Sequence, residues 1–264
     1  MDGPLQAEGF MWRFAAARAT GLSHLRSNIP CQDYFACAEL PSGKLVAAVA
    51  DGAGSAAMAA QGAQIAVETV INHLKQSLEE NRSDFGEMLR EAAAAARKAV
   101  VDDALRLGTE PKSYASTLLA VVLTQEGGGA LQIGDGVIVV SDYGRGWCWM
   151  FWPQRGQYAN TTYFLTDEHA LDHIEVDVFQ RIITDVALMS DGLEPLALQY
   201  ANKTVHDPFF LDMFQPLLKA EGSAEIAWLS ASLEQFLSSD QVRSRTDDDT
   251  SLILATRRDH DKSQ

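Results

Sequence analysis

Apolar residues change their period several times along the chain, and each change marks an element. Phe10 to Ala17 is apolar enough for a first strand, and Gly21 to Pro30 reads as a polar loop with turn residues. Lys44 to Ala50, KLVAAVA, is a short buried strand stopped by Asp51-Gly52. From Ala56 to Leu78 apolar or small residues recur at Met58, Gly62, Ile65, Ala66, Thr69, Val70 and Leu74. That three-and-four spacing predicts an amphipathic helix. A second helix is expected from Phe85 to Leu107, with Leu89, Ala93, Ala96, Val100, Ala104 and Leu107 along one stripe and the strong helix former Ala at its centre.

After Gly108 the character changes. Ala115 to Leu123, Ala130 to Val140 and Trp147 to Trp152 are β-rich runs, separated by the turns Glu126-Gly127-Gly128-Gly129 and Asp142-Tyr143-Gly144, and predict an antiparallel meander. In the last of these runs Trp147, Trp149 and Phe151 fall on one side and Cys148, Met150 and Trp152 on the other. Core packing is the expected use of these rings, with a docking patch as the alternative. Further on come a strand at Thr162 to Thr166, a buried strand at Val186 to Ser190, and helical stretches near Leu193 to Tyr200, Pro208 to Leu218 and Ala224 to Leu237. Ser251 to Thr256 is the closing strand.

This order does not alternate regularly enough for a doubly wound sheet, and it points to an α+β layered fold with non-local pairing. With 264 residues, 47% of them hydrophobic, and neither repeat nor linker, one domain spanning 1–264 is expected, its core running from about 10 to 257 between short polar tails.

Charge narrows the partners. A formal net charge of −15 repels nucleic-acid phosphates and anionic lipid headgroups, so neither nucleic acid nor membrane is expected as a partner. Cys31, Cys37 and Cys148 have no metal-knuckle or redox spacing and fit a reducing compartment. The start MDGPLQAEGFMWRF has no secretory pattern, and no apolar run reaches the length of a membrane span, so a soluble cytoplasmic protein is expected.

The chemistry lies in how the apolar runs end. LVAAVADG, LQIGDG and VALMSDG each place an Asp-Gly where a strand meets a tight turn, at Asp51-Gly52, Asp135-Gly136 and Asp191-Gly192. An Asp there sits on rigid backbone, and the Gly permits close approach of a ligand or exposes its carbonyl as another oxygen donor. One Asp-Gly is commonly just a turn. Three of them, together with Asp33 and the triplet Asp247-Asp248-Asp249 before the last strand, suggest a converging set. Converging carboxylates repel one another unless cations reverse the sign, and oxygen donors suit magnesium and manganese. Two such ions roughly 3.5–4 Å apart can bridge a water and clamp a phosphoryl oxygen for in-line attack. A phosphatase needs that, and it needs no cysteine or serine nucleophile.

Six segments occur in one order: PCQD at Pro30 to Asp33, VADGAGSA at Val49 to Ala56, YASTLLAVVL at Tyr114 to Leu123, LQIGDG at Leu131 to Gly136, LMSDGL at Leu188 to Leu193 and DDTSLIL at Asp248 to Leu254. In wording and order they resemble the protein phosphatase 2C family, the metal-dependent serine/threonine phosphatases, from about Phe14 to Ala255. The resemblance implies a four-layer α-β-β-α sandwich, two antiparallel sheets flanked by helices, with metals in a cleft at one edge. It implies hydrolysis of phosphoserine or phosphothreonine by a hydroxide bridging two divalent cations, Mn2+ or Mg2+. Asp51 would bridge them, Asp33 and the Gly52 carbonyl would contribute, Asp191 and Asp248 would hold the second ion's side, and Asp135 would match the acid of a third, weaker metal. Ser116 and Thr117 match a pair that packs beneath the site.

The chain departs from the family pattern in the loop before Asp33. Gln32 stands where many members have Glu, Asn28 where many have a phosphate-gripping Arg, and Ala53 where eukaryotic members have His. Arg26 or His24 is the natural replacement for the phosphate contact, and His24 a source of the proton for the leaving group. The wording is similar to a bacterial branch often accompanied by a cognate protein kinase, so a kinase or its phosphoprotein substrates are the implied partners of a monomeric enzyme. The departures also admit a catalytically weak member that binds phosphoproteins or a kinase as a regulatory module. A nucleotide- or sugar-phosphate hydrolase is a third reading, though no GxxxxGK segment is present. His169 and His173, four apart, form a possible metal pair, but without an HExxH pattern an exposed polar face is expected. Pro153 to Arg181 falls where family members vary and often carry a mobile flap.

Overall fold

A run that is apolar at every position must be covered on both faces, and Leu45 to Ala50, LVAAVA, is such a run. The computed structural model, which describes residues 11–41, 43–142, 146–156 and 162–258, shows how both faces are covered. In chain order the elements are β1 (Met11–Ala19), α1 (Leu22–Ser27), β2 (Tyr34–Leu40), β3 (Lys44–Ala50), α2 (Ala59–Glu79), α3 (Phe85–Arg106), β4 (Leu118–Leu123), β5 (Gly128–Ile133), β6 (Val137–Ser141) and β7 (Trp147–Trp149). There follow β8 (Glu175–Phe179), β9 (Asp185–Met189), α4 (Glu194–Ala197), β10 (Leu198–Gln199), β11 (Thr204–Val205), α5 (Asp207–Lys219), α6 (Ser223–Leu237), α7 (Asp240–Arg243) and β12 (Thr250–Arg258).

Two antiparallel five-stranded sheets result, in the orders β2-β3-β4-β5-β8 and β1-β12-β9-β6-β7. Alternation along β3 sends Val46, Ala48 and Ala50 into a cluster with Val67, Leu74, Leu89 and Ala96 of α2 and α3. Leu45, Ala47 and Val49 face the other way, against Ile138, Val140, Val186, Leu188 and Ile253 of the second sheet. On that sheet's far side Val139, Ala187, Met189 and Leu252 meet Phe210, Phe214 and Leu233 of α5 and α6. The fold is therefore α+β, with two sheets face to face and helices on both outer faces. Among the described residues no helix is long and apolar enough to cross a membrane.

Helix α2 comes close to the turn Pro111–Tyr114, which leads into β4, through Gly62. A Cβ on Gly62 would stand 2.1 Å from the Tyr114 carbonyl oxygen, and the Tyr114 side chain is itself fully buried. Gly62→Ala should lower stability by roughly 2–3 kcal/mol, read as a fall in the urea midpoint at constant slope.

Several expectations need correction. The run Ala130 to Val140 is two strands in different sheets, because Gly134, at φ 103, breaks it and carries the chain from β5 across to β6. The expected meander is thus divided, β4–β5 pairing in one sheet and β6–β7 in the other. Within Gly21 to Pro30 the chain forms α1, closed by Asn28 in the left-handed region at φ 54. Residues 162–166 are irregular and turn structure rather than a strand, and the stretch from Leu193 contains only the short α4 before β10 pairs with β11.

The tryptophan run keeps its alternation only through β7. Trp147, Trp149 and Trp152 pack on the helix side, while Met150 and Phe151 turn into the space between the sheets. Trp147 stacks on Phe210 with ring centroids 5.2 Å apart, so these half-buried rings pack against the helix-side core. His173 stacks on Tyr163 at 3.9 Å, whereas the exposed His169 faces Asp172, so the two imidazoles have separate partners. Phe10, Tyr143-Gly144, residues 157–161 of the expected flap and both expected tails lie outside the described residues.

Candidate active site

Strand register brings the acidic turns to one edge of the sandwich. Met189 pairs with Leu252 of β12 on one side and Val137 of β6 on the other. Because both pairs are antiparallel, the residues after Met189 and those before Leu252 and Val137 leave the sheet at the same end. These carry Asp191, Asp248 and Asp135. In the facing sheet Tyr34 pairs with Ala50, which sets Asp33 beside Asp51.

The turns enclose a cleft of about 640 Å³ whose lining includes His24, Asp51, Gly52, Asp135, Asp191 and Asp248. Asp33 lies beneath it, 1% exposed. The Asp51-Gly52 turn is locked from below, as expected of Ser116 and Thr117. The Asp51 N–H donates to Thr117 Oγ1 at 3.0 Å, the Thr117 N–H donates to the Asp51 carbonyl at 2.8 Å, and Gly52 bridges Ser116. A Cβ at Gly52 would stand 2.7 Å from the Gln32 carbonyl oxygen, so only glycine fits this turn.

Each carboxylate is held at an electrostatic cost. Burial, offset in part by Ser251 and Ser190 and increased by Asp249 and Asp191, pushes the Asp33 carboxyl up to about 7. Ser251 Oγ donates to Asp33 Oδ2 at 2.5 Å. Burial, followed by Asp33, Asp191 and Asp248, lifts Asp51 well above the usual carboxylate range. Asp135 rises to about 7 through burial and then Asp191, and Asp248 is raised by the same two causes. Among the described residues the buried oxygens Asp33 Oδ1, Asp191 Oδ1 and Gln32 Oε1 have no hydrogen-bond partner.

Unpartnered buried oxygens beside mutually repelling carboxylates suit cations, and an all-oxygen set suits hard ones. Among the described residues no three His, Cys, Asp or Glu side chains are drawn together tightly enough to hold an ion by themselves. A hard cation in this cleft would take the rest of its shell from backbone carbonyl oxygens such as that of Gly52 and from water, as magnesium and manganese readily do.

The loop before Asp33 is organised by Asp249, 2% exposed, which the sequence marks only as one of an acidic triplet. Its Oδ1 accepts from the Gly21 N–H at 2.7 Å, and its Oδ2 accepts from the Gln32 N–H at 2.6 Å and lies 2.9 Å from His24 Nδ1. His24 Nε2 is then the ring nitrogen near Gly54, 3.7 Å from where a Cβ there would stand. Ser23, His24 and Ser27 of α1 line the cleft, whereas Arg26 is exposed and is not among the lining residues.

The sequence model of the protein phosphatase 2C family matches residues 20–238. Serine/threonine-protein phosphatase 3 of Escherichia coli (strain K12) is 33% identical over 249 residues, 92% of this chain and 98% of that protein. The catalytic domain of the serine/threonine protein phosphatase PstP, solved with two manganese ions, superposes with a TM-score of 0.62 at 18% identity over 95% of this chain and 100% of that one. A serine/threonine phosphatase from Staphylococcus aureus gives 0.61 at 17%, over 97% and 99%. At such identities these two structures speak to the fold. Fold, site and relatives together define the class, a serine/threonine protein phosphatase. Within that class the chain belongs to the protein phosphatase 2C family.

Proposed function

We propose that the protein hydrolyses phosphoserine and phosphothreonine in proteins with two divalent cations, manganese or magnesium, held by Asp33, Asp51, the Gly52 carbonyl, Asp191 and Asp248, and a third, weaker one at Asp135. The observation that carries this is the meeting of these strand-end carboxylates around one cleft, with raised pKa values at Asp33, Asp51, Asp135 and Asp248 and unpartnered buried oxygens on Asp33 and Asp191. When bound, the cations supply a Lewis acid and an activated water for in-line attack on phosphorus.

The chain's own residues do the rest. Asp51 and Asp33 give up their protons to bind cations, and Thr117 and Ser251 fix their geometry. His24, oriented by Asp249, presents Nε2 towards the cleft as the group that protonates the leaving alkoxide. Burial and Asp33 push the Cys31 thiol up, which removes the nearest thiolate as a nucleophile and leaves direct attack by water. On the family resemblance the substrates include a cognate serine/threonine kinase or its targets, and the enzyme acts as a single-domain cytoplasmic monomer.

The test is phosphate release from a phosphothreonine peptide by purified protein. Release is expected with manganese or magnesium and should stop in chelator. Release that persists in chelator would overturn the mechanism. A folded, manganese-loaded protein that binds the peptide without cleaving it would favour the regulatory-module reading.

A further inference from the structure

Among the described residues no lysine or arginine lines the carboxylate cleft, yet one guanidinium is fixed at its rim. Arg155 follows Gln154, whose N–H donates to the Gly134 carbonyl at 3.2 Å and whose Oε1 accepts from the Gly134 N–H at 2.8 Å. The backbone at Arg155 is thereby clamped next to the Asp135 turn. From the other side come Glu194 and Tyr200, both on the segment that follows Asp191. Arg155 Nη2 donates to the Tyr200 hydroxyl at 2.9 Å and lies 3.5 Å from Glu194 Oε2, the oxygen that also accepts from that hydroxyl. The guanidinium carbon stands 5.7 Å from the Tyr200 ring centroid, and Trp152 packs edge-on against the same ring. Arg155 thus spans the Asp135 and Asp191 turns.

A plain structural ion pair with Glu194 is the competing account, and the geometry argues against it. Structural arginine–carboxylate pairs favour a two-pronged fork. Here Glu194 Oε1 is buried without a partner, the one contact to Oε2 is long, and Tyr200 already occupies that oxygen. Nε and Nη1 of Arg155 have no partner among the described residues, and its side chain is 51% exposed. Nη2 of the guanidinium is held in place, and among the described residues Nε and Nη1 remain uncommitted. On a chain of formal charge −15, a cation at the mouth of an acidic cleft offsets repulsion of anionic substrates where they enter.

Building on the phosphatase reading, we infer that Arg155 is a specificity-determining residue that binds an oxyanion flanking the phosphoresidue in the substrate, either an acidic side chain or a second phosphate. The reacting phosphate itself belongs among the carboxylates, whose cleft Arg155 does not line. A neighbouring residue of an extended peptide lies at the rim instead.

The test uses one phosphothreonine peptide with aspartate, phosphoserine, alanine or lysine beside the phosphoresidue, and p-nitrophenyl phosphate as a substrate without flanks. Wild-type, manganese-loaded protein should favour the aspartate or phosphoserine peptide over the lysine peptide. Whichever of the two is preferred identifies the source of the oxyanion. Arg155→Ala should lose about tenfold in kcat/KM on that peptide, mainly through KM, and much less on p-nitrophenyl phosphate. Arg155→Glu should invert the preference towards lysine. Equal losses on every substrate, or a preference that survives Arg155→Glu, would overturn the inference. Fluorescence anisotropy of the same peptides on manganese-loaded His24→Ala protein, with and without Arg155→Ala, reads affinity with little turnover. If the wild type cleaves nothing, the phosphatase reading fails, while an Arg155-dependent preference in anisotropy still decides the role of Arg155.

Discussion

Asp191→Asn should reduce hydrolysis of a phosphothreonine peptide by roughly a thousandfold or more. Asp191 leaves the end of the buried strand β9, and its Oδ1 is buried without a partner among the described residues. Its charge also raises the pKa of Asp33, Asp51, Asp135 and Asp248, so every acid of the cleft senses it. Asparagine keeps its shape and removes one anionic ligand. Lewis-acid stabilisation is worth several kcal/mol, and each 1.36 kcal/mol is a factor of ten in rate. A second readout needs no substrate. Manganese at about a hundred times its Kd adds about 2.7 kcal/mol to a protein that binds it only when folded, and most of the resulting rise in Tm should vanish in the variant. Wild-type turnover by Asp191→Asn would remove Asp191 from the ligand set.

In chelator, the protein should become less stable as pH rises from about 4 to about 7. The folded-state pKa of Asp33 and Asp135 is about 7, against an ordinary value of 3.8. Between those values the native state binds more protons than the unfolded chain, so stability is fully present below the lower value and is lost as pH rises through the higher. Two buried groups shifted in this direction amount to an effect on the order of a few kcal/mol. Manganese should flatten the slope by replacing the protons, and Asp191→Asn should weaken it by removing one repelling charge. Thermal melts at several pH values, with and without manganese, measure this. A metal-free Tm that climbs across the window would contradict it.

The elements that were legible in the sequence are those whose burial follows one pattern along their whole length. α2 and α3 each bury one stripe on one sheet, and β3 is buried on both faces, so period and continuity identify them. Strand β2 was missed because YFACAEL is half-buried along most of its length, with neither alternation nor a solid apolar run. Strand β8 was missed because EVDVF is an edge strand with exposed acids and an exposed Val178. The division of Ala130 to Val140 hangs on the backbone at Gly134, which composition does not reveal.

The same contrast holds at the site. Asp51 and Asp191 were readable because their environment is local, a buried strand running into Asp-Gly. Asp249 was not, because its partners Gly21, His24 and Gln32 lie 228, 225 and 217 residues away in the chain. Arg26 and His24 stand out in the sequence for their nearness to Asp33, and nothing there points to Arg155. In the fold α1 turns Ser23, His24 and Ser27 to the cleft and leaves Arg26 exposed, while Arg155 reaches the rim through Gly134, Glu194 and Tyr200.

Strand β12 lies between β1 and β9, and the turn that enters it carries Asp248 and Asp249. The helix-covered sheet β2-β3-β4-β5-β8 is encoded entirely upstream, between Tyr34 and Phe179. A ribosome that has released the first 240 residues therefore holds a chain whose first sheet can already be assembled, whereas β1 still has no neighbour and His24 has no orienting carboxylate. The acidic cleft is therefore completed only when β12 and the turn before it are in place.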